Sequence, residues 1–312
     1  MKGNNKPLLC IVGPTASGKT RLAVYLAEII DGEIISADSR QVYRMMDIGT
    51  GKDKNEYITP TKIIPYHLID IVEPGYHFSV FEYQRDFYSV YKQILSRNKQ
   101  PILCGGSGMY IEAVLKNYDL FFVPENVTLR NRLQKYSMEQ LIEVLSSYTR
   151  LHNISDTTDR NRLIRAIEIQ DFYKTSPIDK EKSSLASIIF YVHFERDILR
   201  QRITERLQNR LHNGMIDEVK FLLDSGIKPE SLLYYGLEYK FITLYLTHML
   251  SYETMVEKLR IAIQQFAKRQ VTWFRRMQRN GFEFTYIDGS LSNDEQLALM
   301  VDKLQTKRLI NK

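Results

Sequence analysis

Gly13-Pro14-Thr15-Ala16-Ser17-Gly18-Lys19-Thr20 is a Gly-x-x-x-x-Gly-Lys-Thr loop set between an apolar run, Leu8 to Val12, and a helical pattern, Arg21 to Ile30. The two glycines let the backbone curl so that successive N–H groups point inward. The helix that follows adds the positive end of its dipole at the same place. In this pattern the lysine lies over the outer phosphates and the threonine hydroxyl ligates Mg²⁺. Residues 13–20 are therefore the expected diphosphate- or nucleotide-binding loop, with Lys19 on the phosphates and Thr20 on the metal. The flanking strand and helix lift the match above chance. Which phosphate ester the loop holds has to come from the rest of the chain.

Working outward, 312 residues with 44% apolar content suffice for a full core, in one large α/β domain with insertions or in two smaller ones. No apolar run approaches a membrane span, and the run after Lys2 and Lys6 is too short for a signal-peptide core, so a cytoplasmic protein with no membrane partner is expected. Cys10 and Cys104 fall in predicted buried strands without Cys-x-x-Cys spacing, which favours apolar packing over a zinc site. The net charge of +6 is unevenly placed: Lys258 to Arg279 holds seven basic residues and no acidic one. Such a bias points to a polyanion such as nucleic acid, or to a plain basic surface helix.

Strands are predicted at Glu33–Ser36, Ile63–Asp70, Pro101–Cys104, Ser187–Phe194 and Glu283–Ile287, the last followed by a polar tail. Asp38 follows the second strand at the end that faces the ligand crevice of a parallel sheet. There it serves either as general base toward an O–H or N–H, or as N-cap of a short helix starting at Ser39. Asp70 is a candidate second carboxylate near the metal. Gly105-Gly-Ser107 permits close ligand approach with Ser107 in contact, or merely tight packing. Tyr118 to Thr157 reads as a helical insertion over the crevice. The arginines of the helix 160–173 bind phosphate or pair with Glu168 and Asp159. A later helix carries Arg196, Arg200, Arg202, Arg206 and Arg210, of which Arg202 is placed to reach the phosphates. In the long helix Met255–Met277, the stripe Leu259, Ile263, Phe266, Phe274 and Met277 faces the protein and Lys268, Arg275 and Arg279 share another face, with Arg269 and Arg276 beside it. Trp273 packs or stacks on a base.

These motifs, in this order and nearly end to end, resemble the tRNA dimethylallyltransferase (tRNA isopentenyltransferase) family in its bacterial form. The resemblance is carried by the phosphate loop, Ile35-Ser-Ala-Asp-Ser-Arg-Gln-Val-Tyr43, Met46-Asp-Ile-Gly-Thr50, Gly105-Gly-Ser-Gly-Met-Tyr110, Asn161-Arg-Leu-Ile-Arg165 and Gln265-Phe-Ala-Lys-Arg-Gln-Val-Thr-Trp-Phe-Arg275. It implies transfer of a dimethylallyl group from dimethylallyl diphosphate to the N6 amine of the adenosine 3′ of a tRNA anticodon, with Mg²⁺ as cofactor. The implied catalytic residues are Asp38, Thr15, Lys19 and Arg202. The implied tRNA contacts are Asp38, Ser39, Arg40, Gln41, Ser107, Asn161, Arg162, Leu163, Ile164 and Arg165, to which the basic helix adds Lys268, Arg269 and Arg275. Departures from the family pattern include Met45, Gly51 in place of a common alanine, Tyr235-Gly-Leu-Glu-Tyr-Lys240, and the approach His152 to Asp159.

The expected architecture is an α/β fold, a P-loop NTPase-like parallel sheet flanked by helices with helical insertions. Its core takes residues 1–118, 158–212 and 280–312, with a lid at 119–157 and a tRNA-binding helical region at 213–279. A monomer is expected. Two other readings use the same cradle: a phosphate-loop kinase in which Asp38 activates a hydroxyl, and a nucleotide-dependent RNA-binding switch in which Asp38 is dispensable.

Overall fold

The apolar runs become strands because both of their faces are covered. The structure, a computed structural model, describes residues 6–148, 159–175, 184–307 and 309. Strands β1 (Leu8–Val12), β2 (Gly32–Ala37), β3 (Tyr66–His67), β4 (Gln100–Gly105), β5 (Ser187–His193) and β6 (Phe284–Asp288) form one parallel sheet in the order β3-β2-β4-β1-β5-β6. Alternation divides β1 between two cores. Leu9 and Ile11 face α1 (Lys19–Ile30), while Leu8, Cys10 and Val12 face α2 (Val80–Ser96) and α3 (Gly108–Leu115). The chain leaves β1 for β2 by passing over β4, while β5 lies on the other side of β1. The carboxyl ends of β1, β2 and β4 therefore open on a topological switch point, where ligands of such sheets bind.

The described residues of Asp119–Ser183 form a compact unit of their own. Its helices are α4 (Val127–Leu133), α5 (Met138–Tyr148) and α6 (Arg160–Thr175), closed around Leu129, Leu133, Leu141, Leu145, Leu163, Ile164 and Ile167. The sequence reading ends the insertion at 157. The unit takes α6 as well, because Leu163, Ile164 and Ile167 complete its core. Buried Glu168 accepts from Arg130 at 3.0 and 2.9 Å and also pairs with Arg165. Arg160 donates to the carbonyls of Gln134 and Tyr136 at the end of α4. The stretch 152–158 before α6 lies outside the described residues.

The sheet unit continues with α7 (Arg196–His212), α8 (Met215–Asp224), α9 (Pro229–Leu232), α10 (Leu237–Leu246), α11 (Tyr252–Arg279) and α12 (Asn293–Thr306). The expected strand Ile63–Asp70 shrinks to two residues. Pro65 removes a donor beside it, and Leu68 and Asp70 adopt φ of 61° and 56°, which no strand tolerates. The expected polar tail is instead α12. Ser292 and Glu295 form a capping box at its start, and Met300 and Leu304 pack beside α1 in the second core. No helix among the described residues is long and apolar enough to cross a membrane.

Candidate active site

The phosphate loop leaves β1 where Gly13 comes so close to β5 that an added Cβ would lie 2.7 Å from the Val192 carbonyl oxygen. Ala16 and Gly18 take left-handed φ of 62° and 79°, curling the chain so that, among the described residues, α1 starts with no side-chain cap from its N-cap residue on its first N–H groups. Those donors are left to an anion. Lys19 Nζ donates to the Pro14 carbonyl at 3.2 Å, and burial pushes its pKa down, because nothing in the loop fully replaces water around the ammonium. Ser17 Oγ is buried and has no partner among the described residues. The loop thus holds a desolvated cation, an unused hydroxyl and free helix-end amides. That donor set fits a phosphate chain.

Asp38, Ser39, Arg40, Gln41 and Ser107 line the same cavity, whose volume is about 930 Å³, together with residues 15–20 of the loop. Asp38 Oδ1 accepts the Arg40 N–H at 2.9 Å. Turns follow rather than a helix, so the capping seen is a local Asx turn and not the expected N-cap. Ser107 Oγ accepts the Ser39 N–H at 3.0 Å, fastening the end of β2 to the glycine turn after β4. Gln41 is an internal brace: its amide accepts from Ser36 Oγ and donates to the Gly51 carbonyl, both at 2.9 Å. Asp70 takes no part. It pairs with Lys54 at 2.7 Å and with Lys52, whose side chain is fully buried and also donates to Asp47 and the Tyr43 carbonyl at 2.6 Å.

Helix α7 brings three arginines to the cavity at four-residue spacing. Arg202 stacks on Phe194 and donates to the Ala16 carbonyl at 2.9 Å. Arg206 donates to Thr15 Oγ1 at 3.1 Å and meets Asp53 at 3.0 Å, and Arg210 reaches Asp53 at 3.2 Å. Gly51 makes room for them: at φ 68°, an added Cβ would sit 1.9 Å from Arg210 Nη2. Sequence reasoning brought only Arg202 to the site. The i, i+4, i+8 register of Arg202, Arg206 and Arg210 was the available signal. Glu238, on α10, also lines the cavity, and burial raises its pKa.

Helix α11 contributes Phe266, Arg269 and Gln270 to the lining. Phe266, expected to face the protein, is 38% exposed instead, with the Arg269 guanidinium over its ring. Gln270 is buried and was missed altogether. Lys268 and Arg275 are exposed but outside the lining. Trp273 packs against Gly108 beneath the Arg276 guanidinium, which also pairs with Glu112 at 2.8 Å. Asn161, Arg162, Leu163, Ile164 and Arg165 lie in the other unit, where Leu163 and Ile164 are core residues. Among the described residues no group of three or more His, Cys, Asp or Glu could hold a metal ion.

Comparison with known proteins meets this geometry. The family model described as IPP transferase matches residues 41–277. A tRNA dimethylallyltransferase 1 of Parabacteroides distasonis is 54% identical over 305 residues, 97% of each chain. A tRNA dimethylallyltransferase 2 of Porphyromonas gingivalis is 55% identical over 290 residues, 93% of this chain and 96% of that one. Among solved structures, a tRNA isopentenylpyrophosphate transferase of Bacillus halodurans aligns over 97% of this chain and 96% of its own, with TM-score 0.70 and 33% identity. A eukaryotic dimethylallyltransferase acting on tRNA aligns with TM-score 0.76 over 97% of this chain and 80% of its own; at 20% identity it speaks to fold alone. The family match begins at Gln41, so the phosphate loop and Asp38 fall within the near full-length alignments rather than within the matched family segment.

Proposed function

The chain belongs to the IPP transferase family, and from that premise we propose that it transfers a dimethylallyl group from dimethylallyl diphosphate to the N6 amine of the adenosine 3′ of a tRNA anticodon, releasing diphosphate. The observation that carries the reading is the meeting, in one cavity, of a phosphate loop, a carboxylate at the neighbouring strand end and an arginine-bearing helix face. Each does one part of a substitution at carbon. The amine nitrogen attacks the allylic C1, the C1–O bond breaks, and the electron pair leaves with the diphosphate.

Charge grows on the leaving oxygens, where the α1 amides, Lys19 and Arg202 lie in wait. Fixed donors aimed at developing charge cost no reorganisation when the bond breaks. Lys19 gains most, since an anion beside it offsets the desolvation that holds its pKa down. Asp38 orients the attacking amine and accepts its proton; such a base is worth about 10² to 10⁴ in rate. Arg206 holds the Thr15 hydroxyl at the rim of the loop. The Thr20 hydroxyl would hold Mg²⁺, which when bound would supply neutralisation of the leaving-group charge.

The target base has to leave the anticodon-loop stack, at a cost of about a few kcal/mol in a single-stranded loop. Lys268, Arg269 and Arg275 hold RNA phosphates outside the chemistry. The protein is taken to work as a cytoplasmic monomer. The test is incubation with Mg²⁺ and an unmodified anticodon stem-loop, supplying radiolabelled dimethylallyl diphosphate or γ-labelled ATP in parallel. Label on RNA from the prenyl donor alone is expected. Label from ATP alone would make the protein a kinase.

A further inference from the structure

We propose that Gln270 is a positioning residue that ties the donor loop to the RNA-facing helix, so that seating RNA on α11 tightens the hold on the donor. This rests on the reading above, that loop 13–20 takes the prenyl donor and α11 faces RNA. Gln270 Oε1 accepts the Thr15 N–H at 2.8 Å, and its Nε2 donates to the Gly106 carbonyl at 2.9 Å. The amide orientation follows from its partners, because a backbone N–H can only donate and a carbonyl only accept. One side chain, 7% exposed, thereby joins the turns that leave β1 and β4.

The fit is close. A Cβ on Gly106 would lie 2.4 Å from Nε2, so the glycine turn is shaped around this amide. Thr15 is then fixed twice, its N–H by α11 and its hydroxyl by Arg206 of α7. On α11 the residues one turn away, Ala267 and Phe274, are buried, whereas Lys268, Arg269 and Arg275 reach solvent. Phosphates drawn to those cations press the helix onto its seat, and Gln270 is the point where that seat touches the loop. No hydrocarbon or carboxylate of similar length can serve both partners.

The test uses the full chain with Gln270→Met, which loses both bonds, and Gln270→Glu, which keeps the size but sets a carboxylate against the Gly106 carbonyl. Equilibrium binding of dimethylallyl diphosphate with Mg²⁺ is measured with and without an anticodon stem-loop, and RNA binding is measured separately. The stem-loop should tighten donor binding by the wild type. Both variants should bind the donor about tenfold more weakly, lose the tightening, and bind RNA within about twofold of wild type. Donor affinity unchanged, tightening absent from the wild type or retained in the variants, or RNA affinity falling as far as donor affinity would overturn the proposal. Should the variants fail to fold, hydrogen exchange on the wild type decides: the peptide spanning residues 13–20 slows on adding the stem-loop alone, and unchanged exchange overturns it. Wild-type protein that binds ATP and not the prenyl donor sinks the functional reading, and Gln270 is then judged by the same measurements with ATP.

Discussion

Helices α7 and α11 both present basic side chains near the cavity, yet the α7 arginines that line it are fastened to the phosphate loop and Asp53, while several on α11 are not. On α7, Arg202, Arg206 and Arg210 are pinned: one by a carbonyl of the phosphate loop and an aromatic ring, two by Asp53. On α11, Lys268, Arg275 and Arg279 project into solvent, while Arg269 lies over the Phe266 ring and Arg276 is held by Glu112 and Trp273. A pinned cation acts over a short range with a fixed geometry, which suits charge appearing on one leaving group. An exposed cation acts through screened long-range attraction and tolerates many geometries, which suits a flexible polyanion. The same residue type thus divides between chemistry and capture according to what holds it.

Removing the proton acceptor tests the inner half most severely. Asp38→Asn should lower turnover by about 10² or more while leaving RNA affinity within about twofold, in single-turnover assays with pre-bound stem-loop. Near-normal turnover would remove Asp38 from the mechanism. Next come the pinned cations: Arg202→Gln should raise the donor KM by about tenfold to a hundredfold, the range for a hydrogen bond to a charged group, with RNA binding untouched. An equal loss of RNA affinity would erase the distinction between the two helices.

Gly51→Ala asks whether the pinning depends on the space left for it. Forcing a Cβ at φ 68° against Arg210 should cost about 1–2 kcal/mol of stability, read as a lowered Tm, and should raise the donor KM. An unshifted Tm would mean that the loop has another accessible course. The outer half is tested by Lys268→Gln with Arg275→Gln, which should weaken RNA binding several-fold and flatten the dependence of log K on log salt by about 0.7 to 0.9 per lost phosphate contact, with turnover at saturating RNA unchanged. An unaltered slope would show that these side chains meet no phosphate. Smallest is the pH effect. Burial depresses the pKa of Lys19, so its charge is lost earlier on the alkaline side than that of a free lysine. Donor affinity should therefore decline with rising pH earlier than an ordinary lysine's titration would bring about, and a profile flat up to that point would show that Lys19 stays charged throughout.

The legible parts of the sequence were those with local signatures. Strands buried on both faces read as apolar runs, and the phosphate loop reads from its glycines. The capping box Ser292–Glu295 was also there to be read, and it would have turned the expected polar tail into α12. Gln270 was not legible: its partners lie 255 and 164 positions away, and a lone glutamine in a basic helix has no periodicity of its own. Lys52 is similar, a lysine made fully internal by Asp47 and Asp70, which no composition rule anticipates. Leu163 and Ile164 err in the other direction. A motif resemblance marked them as contacts, while their apolar character, taken by itself, pointed to the core they occupy.

The strands that carry the two cysteines have a consequence for the protein's life in a cell. Burial pushes the Cys104 thiol up to about 12 and Cys10 higher still. Peroxide and electrophiles attack thiolates, and at neutral pH neither side chain offers one in any useful amount. Cys104 lines the cavity, yet it stays protonated. Peroxide should therefore leave these two thiols unaltered, and thiol-directed inhibitors should find no purchase on them.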